Sequence, residues 1–260
     1  MSDAVTYERA GDVGVITLRR PDNRNSMTAE LLDAFAAASA QAAGDRGARA
    51  VIVTGTGSCF SAGADFKSQI QRASSDRQPH ERSFAMYEPF LSILEIEVPV
   101  IAAMNGHAVG GGFGLALVCD IRVAAEEAKY GANFARLGLS PGMAISYLLP
   151  RLVGASRAAD LLYTGRLVRG EEAERIGLAS RAVPAAEVAA TASAMASAIA
   201  HNAPAAVRMT KQLVRDGLDL DIRRAAQREA FAQAESVATE DAKEGIAALL
   251  EKREPRFSGR

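Results

Sequence analysis

The first 45 residues combine a two-residue repeat of apolar positions with a helical one. Residues 5–9 and 13–18 alternate around a turn at Gly11, which predicts a β-hairpin. After Thr28, apolar residues recur at helical spacing, and threonine is a favoured residue at helix starts. We therefore predict a helix that runs from Thr28 to Gly44.

Further along the chain, short apolar runs replace the alternating pattern. Residues 50–55, 98–104 and 121–124 are apolar almost throughout, which is typical of strands buried in a parallel sheet. Segments with helical spacing lie between and after them. The repeated strand, loop and helix predict an α/β fold with a mostly parallel sheet.

Four segments of the central region have a less regular pattern. Residues 68–84 are polar and predict a mobile segment or a poorly packed helix, followed by a helix over residues 83–94. Residues 106–112 predict a glycine-rich turn, and residues 114–118 predict a short helix of small residues.

The pattern changes near residue 200. Asn202, Ala203 and Pro204 are followed by segments with helical spacing only. We predict a core of residues 1–200 and a helical region of residues 201–260.

Composition excludes several classes of protein. Among the 260 residues, 48% are hydrophobic and 23% charged, which is usual for a globular protein. The net charge of −1 argues against a nucleic-acid partner, and mixed charges argue against a membrane-binding patch. Cys59 and Cys119 lie outside any metal-binding pattern, so no metal is expected. The N-terminus lacks the pattern of a signal peptide, so a cytoplasmic location is expected.

Two glycine-rich segments, residues 59–67 and 105–114, each follow a predicted buried strand. Small residues allow a ligand to approach backbone N–H groups closely. Two such donors aimed at one oxygen would stabilise an oxyanion or an enolate. Neither segment has the spacing of a dinucleotide-binding or phosphate-binding loop, so a nucleotide fold is a weaker alternative.

These segments resemble the crotonase (enoyl-CoA hydratase/isomerase) superfamily. The resemblance continues in family order over nearly the whole chain, through residues 20–25, 60–67, 105–112, 149–154, 162–166, 173–179 and 251–257. It implies a spiral of ββα units with a helical C-terminal region for trimerisation. It also implies a homotrimer or a hexamer formed by two trimers.

The resemblance implies a lyase or isomerase of fatty acid metabolism that acts on acyl-CoA thioesters. Coenzyme A would be part of the substrate, and no separate cofactor is expected. The oxyanion-hole N–H groups would belong to Ala64 and Gly111. The residues expected to contact CoA are Asn23, Arg24, Ala62, Asp65, Phe66, Lys252 and Phe257, and the last two could do so across a subunit boundary. The acyl pocket would be lined by Phe113, Gly114, Phe134 and Gly142.

The chain departs from the family at the positions of its acids. Hydratases have glutamates where this chain has Gly114 and Phe134, and some relatives have an aspartate where it has Gly142. Addition of water needs groups that move protons, and these contribute roughly 10²–10⁴-fold to the rate. His80 is a candidate for that role, although an exposed loop histidine is the simpler interpretation.

Other reactions therefore remain open. Residues 130–143 resemble decarboxylating crotonases, in which loss of CO₂ forms the enolate, and Arg72 could hold a substrate carboxylate. Isomerisation, thioester hydrolysis and non-catalytic acyl-CoA binding are further alternatives. Dehalogenation is disfavoured because Gly142 stands where that reaction needs an aspartate.

Overall fold

The computed structural model describes residues 3–65, 78–217 and 222–260. A six-stranded sheet forms its centre, in the order β1-β2-β3-β5-β7-β10. Its strands are β1 (Val5–Ala10), β2 (Val13–Leu18), β3 (Ala50–Gly55), β5 (Val100–Met104), β7 (Ile121–Ala125) and β10 (Arg181–Val183). β1 pairs antiparallel with β2 as the predicted hairpin, and the other pairs are parallel. The prediction of an α/β fold with a parallel sheet is confirmed.

A smaller second sheet has the order β4-β6-β8-β9. Its strands are β4 (Cys59–Ser61), β6 (His107–Val109), β8 (Lys129–Gly131) and β9 (Val168–Arg169). β4, β6 and β8 each follow a long strand of the first sheet after a turn of two or three residues. The chain therefore passes repeatedly from the large sheet to the small one, as expected for successive ββα units.

Helices surround the two sheets and continue to the C-terminus. They are α1 (Ala29–Gly44), α2 (Pro79–Leu91), α3 (Gly111–Val118), α4 (Ile145–Val153), α5 (Ala155–Thr164), α6 (Gly170–Arg175), α7 (Val188–Ala200), α8 (Pro204–Gly217), α9 (Ile222–Val237) and α10 (Glu240–Glu251). Thr28 caps α1 as predicted, because its side chain accepts a hydrogen bond from the Leu31 amide. Among the described helices, none is long and apolar enough to cross a membrane.

Three predicted boundaries were wrong. α2 begins at Pro79 instead of residue 83, because the Glu81 side chain accepts from the Gln78 amide at 2.9 Å and proline suits a first helical turn. The predicted turn over residues 106–112 contains β6, since its backbone pairs with neighbouring strands. α3 starts at Gly111 and not at residue 114, since the Gly114 amide already donates to the Gly110 carbonyl at 3.0 Å.

The C-terminal helices are attached to this core through charged and polar contacts. The side chain of Lys211, on α8, is 6% exposed and forms an ion pair with Asp120 at 2.8 Å. Its ammonium group also donates to the carbonyl oxygens of Ile96 and Val98. Burial lowers the pKa of Lys211, although nearby Asp120 opposes that shift.

Candidate functional site

Three loops meet at one edge of the four-stranded sheet. Because β4, β6 and β8 are parallel, the chain leaves all three strands at the same edge. The Gly110 amide donates to the Gly131 carbonyl at 3.0 Å and joins two of these loops. Both glycine-rich segments of the sequence therefore converge. The short strands β4 and β6 position them, whereas the sequence predicted that they directly follow the long strands.

The two glycine-rich loops touch at Gly63 and Gly111. A Cβ atom added to Gly63 would lie 2.5 Å from the Val109 carbonyl oxygen and 2.8 Å from the Gly111 nitrogen. Gly63 also has a φ angle of +79°, which side chains rarely adopt. Glycine at this position is thus required by both the contact and the backbone conformation.

The backbone direction at Ala64 follows from a short parallel bridge to Met27. The Met27 amide donates to the Gly63 carbonyl at 2.8 Å. In a trans peptide the carbonyl of one residue and the N–H of the next point in opposite directions, and this peptide is trans. The Ala64 N–H therefore points away from Met27 and is not used by the bridge.

Gly111 is the first residue of α3 and is buried. The first intrahelical bond is donated by Gly114 to the Gly110 carbonyl at 3.0 Å. The Gly111 amide precedes it and has no acceptor within the helix. A helix N-terminus also favours negative charge, so this amide is suited to an oxygen that gains charge.

Two buried polar side chains hold these loops together. The Asn25 amide group donates to the Thr56 and Cys59 carbonyls at 3.0 and 2.8 Å, and its side-chain oxygen accepts from the Arg20 amide. The Ser61 hydroxyl donates to the Asn25 carbonyl at 2.8 Å and accepts from the Gly63 amide at 3.3 Å. Sequence reasoning missed both residues, although each lies inside a segment that carries the resemblance.

Comparison with known proteins agrees with this arrangement. The family profile described as enoyl-CoA hydratase/isomerase matches residues 8–260. The chain belongs to the enoyl-CoA hydratase/isomerase family. A probable enoyl-CoA hydratase of Mycobacterium tuberculosis is 35% identical over 258 residues and covers 99% of both chains. A short-chain-enoyl-CoA hydratase of Clostridium acetobutylicum is 36% identical over 252 residues, covering 96% of this chain and 95% of the relative.

A solved structure extends the likeness to three dimensions. The crystal structure of enoyl-CoA hydratase from Bacillus anthracis superposes with a TM-score of 0.91 at 35% identity. The match covers 99% of this chain and 100% of the other. Crotonase superfamily membership and the crotonase-like fold are confirmed.

The predicted acyl-pocket residues of this hydratase/isomerase family member lie around the same loops. A Cβ atom at Gly114 would overlap Met143, with the Met143 Cγ at 3.1 Å, so Met143 occupies the space of any side chain there. The Phe134 ring approaches Gly110, with its Cζ 3.7 Å from an added Cβ. Phe113 is fully buried in the core.

Four of the predicted CoA-contacting residues lie on two adjoining loops. The Ala62 amide donates to the Arg24 carbonyl at 3.0 Å, which joins the loop of Asn23 and Arg24 to that of Ala62 and Asp65. Arg24 is exposed and has a positive φ of 59°. The fifth residue of this group, Phe66, lies outside the described residues, as does Arg72.

Lys252 and Phe257 occupy a different part of the chain. The Phe257 carbonyl accepts from the Arg49 side chain at 3.2 Å, and Arg49 directly precedes β3. The first sheet's parallel strands point from this end towards the loops, and six residues of strand span roughly 20 Å. Within one chain, Phe257 is therefore at the opposite end of β3 from the glycine-rich loops.

Side chains with other reactive groups include His80, His107 and Cys119. His80 is exposed in the first turn of α2. His107 accepts a hydrogen bond from the Lys129 amide at its Nδ1 atom, at 2.9 Å, so the proton of a neutral ring is on Nε2. Burial raises the pKa of the Cys119 thiol to about 12, which keeps it protonated and unreactive at neutral pH.

Proposed function

We propose that this chain is a cytoplasmic acyl-CoA-processing enzyme that stabilises a thioester oxyanion or enolate with the N–H groups of Ala64 and Gly111. The observation that carries this proposal is the contact of the two loops at Gly63. It brings the Gly111 amide, which has no acceptor within α3, beside a loop in which the next N–H, that of Ala64, points away from its bridge partner Met27. A thioester oxygen between two such donors would gain stabilisation as its charge develops.

The substrate in this proposal is an acyl-CoA ester, with coenzyme A as part of the substrate and no separate cofactor. Asn23, Arg24, Ala62 and Asp65 would follow the CoA moiety along the joined loops. Lys252 and Phe257 would reach the site of another subunit, because Phe257 lies at the far end of β3 from the loops of its own chain.

An oligomer would also use the helical region of residues 201–260. Six large apolar side chains of this region are 58–78% exposed: Val214, Phe231, Val237, Ile246, Leu249 and Leu250. Such exposure favours burial against further copies of the chain. Light scattering after gel filtration should give three or six times the chain mass of 27.3 kDa.

The central test measures turnover of crotonyl-CoA and a 3-enoyl-CoA by the purified protein, with binding titrated in parallel. Gly111→Pro removes the proposed donor but also places a side chain against Met27. Gly111→Ala is the matched control, because it adds a similar bulk and keeps the N–H. We expect Gly111→Pro to turn over about 10²–10³-fold more slowly than Gly111→Ala, with a smaller change in affinity. Equal turnover by the two variants would contradict the proposed role of this amide.

A second candidate reaction is decarboxylation of a thioester, which produces the enolate through loss of CO₂. It is favoured by Gly114, Phe134 and Gly142 at the family's acid positions and by Met143 packed against Gly114. Release of CO₂ from malonyl-CoA, without hydration of crotonyl-CoA, would support this reaction. Tight binding without any conversion would instead support a non-catalytic acyl-CoA binding protein.

A further inference from the structure

Tyr87 of α2 reaches the loop that precedes α4. A Cβ atom added to Gly142 would overlap the Tyr87 hydroxyl and lie 2.7 Å from its Cζ. The phenol therefore occupies the space that a side chain of residue 142 would fill. Some relatives have an aspartate at the position of residue 142.

Contacts through Met143 link this phenol to the proposed oxyanion amide. Met143 follows Gly142 and packs against Gly114. Gly114 is three residues beyond Gly111 on α3, which places both on one face of the helix about 4.5 Å apart along its axis. Tyr87, Gly142 and Met143 thus form a wall one helical turn from the Gly111 amide.

The backbone of this wall is held in an unusual conformation. Met143 and Ala144 both have positive φ angles, of 55° and 54°. Left-handed conformations at two successive residues with side chains are uncommon and cost free energy, and such strain clusters at functional sites. The Ile145 amide donates to the Gly142 carbonyl at 3.2 Å and closes the turn against Tyr87.

The chemistry of the wall distinguishes Tyr87 from its neighbours. Met143, the other side chain of this wall, is apolar, whereas the phenol of Tyr87 can donate a proton. Tyrosine is one of the residues that act as general acids in enzymes. Its hydroxyl lies beside Gly142. Because Gly142 has no side chain, the phenol occupies the space in which some relatives have an aspartate.

We propose that Tyr87 is the catalytic residue that exchanges a proton with the α-carbon of the bound acyl thioester. Exchange starts after the phenol has lost its proton to water: the phenolate oxygen takes an α-proton, and the electron pair of the broken C–H bond becomes that of the enolate. In the return step the enolate electron pair forms a C–H bond with the phenolic proton, by then exchanged with solvent, while the O–H bond breaks and the thioester carbonyl is restored. The resulting phenolate regains a proton from water. This assignment rests on the proposed oxyanion function, because the enolate must first be stabilised.

The test measures exchange of the α-protons of butyryl-CoA with D₂O, by mass spectrometry, on the purified full-length protein. Tyr87→Phe removes the hydroxyl and keeps the ring. Tyr163→Phe is the matched control, since Tyr163 is 81% exposed on α5. Gly142→Ala is a second variant that keeps the phenol but displaces it with a Cβ atom.

We expect Tyr87→Phe to slow exchange by about 100-fold or more while the Kd for butyryl-CoA stays within a few-fold of the original. Gly142→Ala should also slow exchange, and Tyr163→Phe should not. A purely structural Tyr87 would alter binding or folding together with the exchange rate. That pattern, or unchanged exchange in Tyr87→Phe, would overturn the assignment.

The same assay separates this proposal from the one on which it rests. Exchange in the original protein that is lost in Gly111→Pro but kept in Tyr87→Phe would retain the oxyanion function and overturn the role of Tyr87. Binding of butyryl-CoA without exchange in the original protein would overturn the role of Tyr87, and the turnover of Gly111→Pro against Gly111→Ala then decides the oxyanion function separately.

Discussion

The loop edge and the C-terminal segment of residues 240–260 are held in place by different kinds of hydrogen bond. At the edge, the neutral side chains of Asn25 and Ser61 bond to buried backbone groups. In the C-terminal segment, carboxylates accept the bonds: Asp241 from the Ser258 and Gly259 amides, and Glu244 from Arg253 and the Arg256 amide. The difference implies that the stability of the loop edge depends little on pH and strongly on the identity of these two side chains. The stability of the C-terminal segment depends on the charge of its carboxylates.

The largest expected effect on stability comes from Asn25→Ala. The change leaves three backbone groups without their partner and puts alanine at a φ of 52°, where asparagine is better tolerated. We expect the free energy of unfolding to fall by about 3 kcal/mol or more, measured by urea denaturation. Asn202→Ala, on an exposed helix end, is the control and should change it by less than about 1 kcal/mol.

Gly114→Glu tests how tightly the edge is packed. The added side chain would overlap Met143, so we expect a loss of about 1–3 kcal/mol in unfolding free energy and no gain in hydration of crotonyl-CoA. Gly44→Glu is the control, because an added Cβ there meets nothing within 4 Å. New hydratase activity in Gly114→Glu would show that the wall can rearrange around a carboxylate.

Ser61→Ala should have a smaller effect on stability than Asn25→Ala but a selective effect on catalysis. It removes a hydroxyl that supports the Asn25 carbonyl and the Gly63 amide, at an expected cost of about 1–3 kcal/mol. Because Gly63 orients the Ala64 peptide, we expect kcat to fall more than KM rises. Ser236→Ala, whose hydroxyl bonds to the Gln233 carbonyl on α9, is the control for the loss of a serine hydroxyl. A change in KM alone would argue that Ser61 does not position the donor.

The smallest expected effect is a local response of the C-terminal segment to acid. Hydrogen bonds from Arg253 and from the Arg256 amide lower the pKa of Glu244 from 4.5 to about 2. A depressed carboxyl pKa stabilises the folded state above the unfolded value, and that stabilisation is lost as the pH falls from 4.5 to about 2. Hydrogen exchange at the Arg256 amide should therefore show weaker protection across this range. Glu244→Gln should remove the pH dependence, whereas Glu254→Gln, an exposed carboxylate in the same segment, should keep it.

The elements that could be predicted were those whose own residues specify them. The runs at residues 50–55 and 121–124 correspond to β3 and β7, and Thr28 provides its cap hydrogen bond. The short strands β4, β6, β8, β9 and β10 were missed, because two or three residues are too few to show a period. These strands form because neighbours distant in sequence supply their hydrogen bonds.

The residues of the candidate site also fall into those that could be predicted from the sequence and those that could not. Ala64 and Gly111 could be named from the resemblance of the two glycine-rich segments to the crotonase superfamily, although their role stays a prediction. Asn25 and Ser61 could not, since the bonds by which they join the loops reach partners more than 30 residues away. The assignment of residues 1–200 and 201–260 to separate regions also stays a prediction.

By itself, the sequence determined the α/β class, the family and the two glycine-rich segments, because local spacing and small side chains specify strands, helices and close backbone approach. Only the tertiary structure decided that Gly63 touches Gly111, that Met143 fills the space beside Gly114 and that Tyr87 reaches Gly142. The physical reason is that these contacts join residues from 29 to 55 positions apart. Such contacts depend on how the two sheets and α2 pack, and no local pattern of residues encodes that distance.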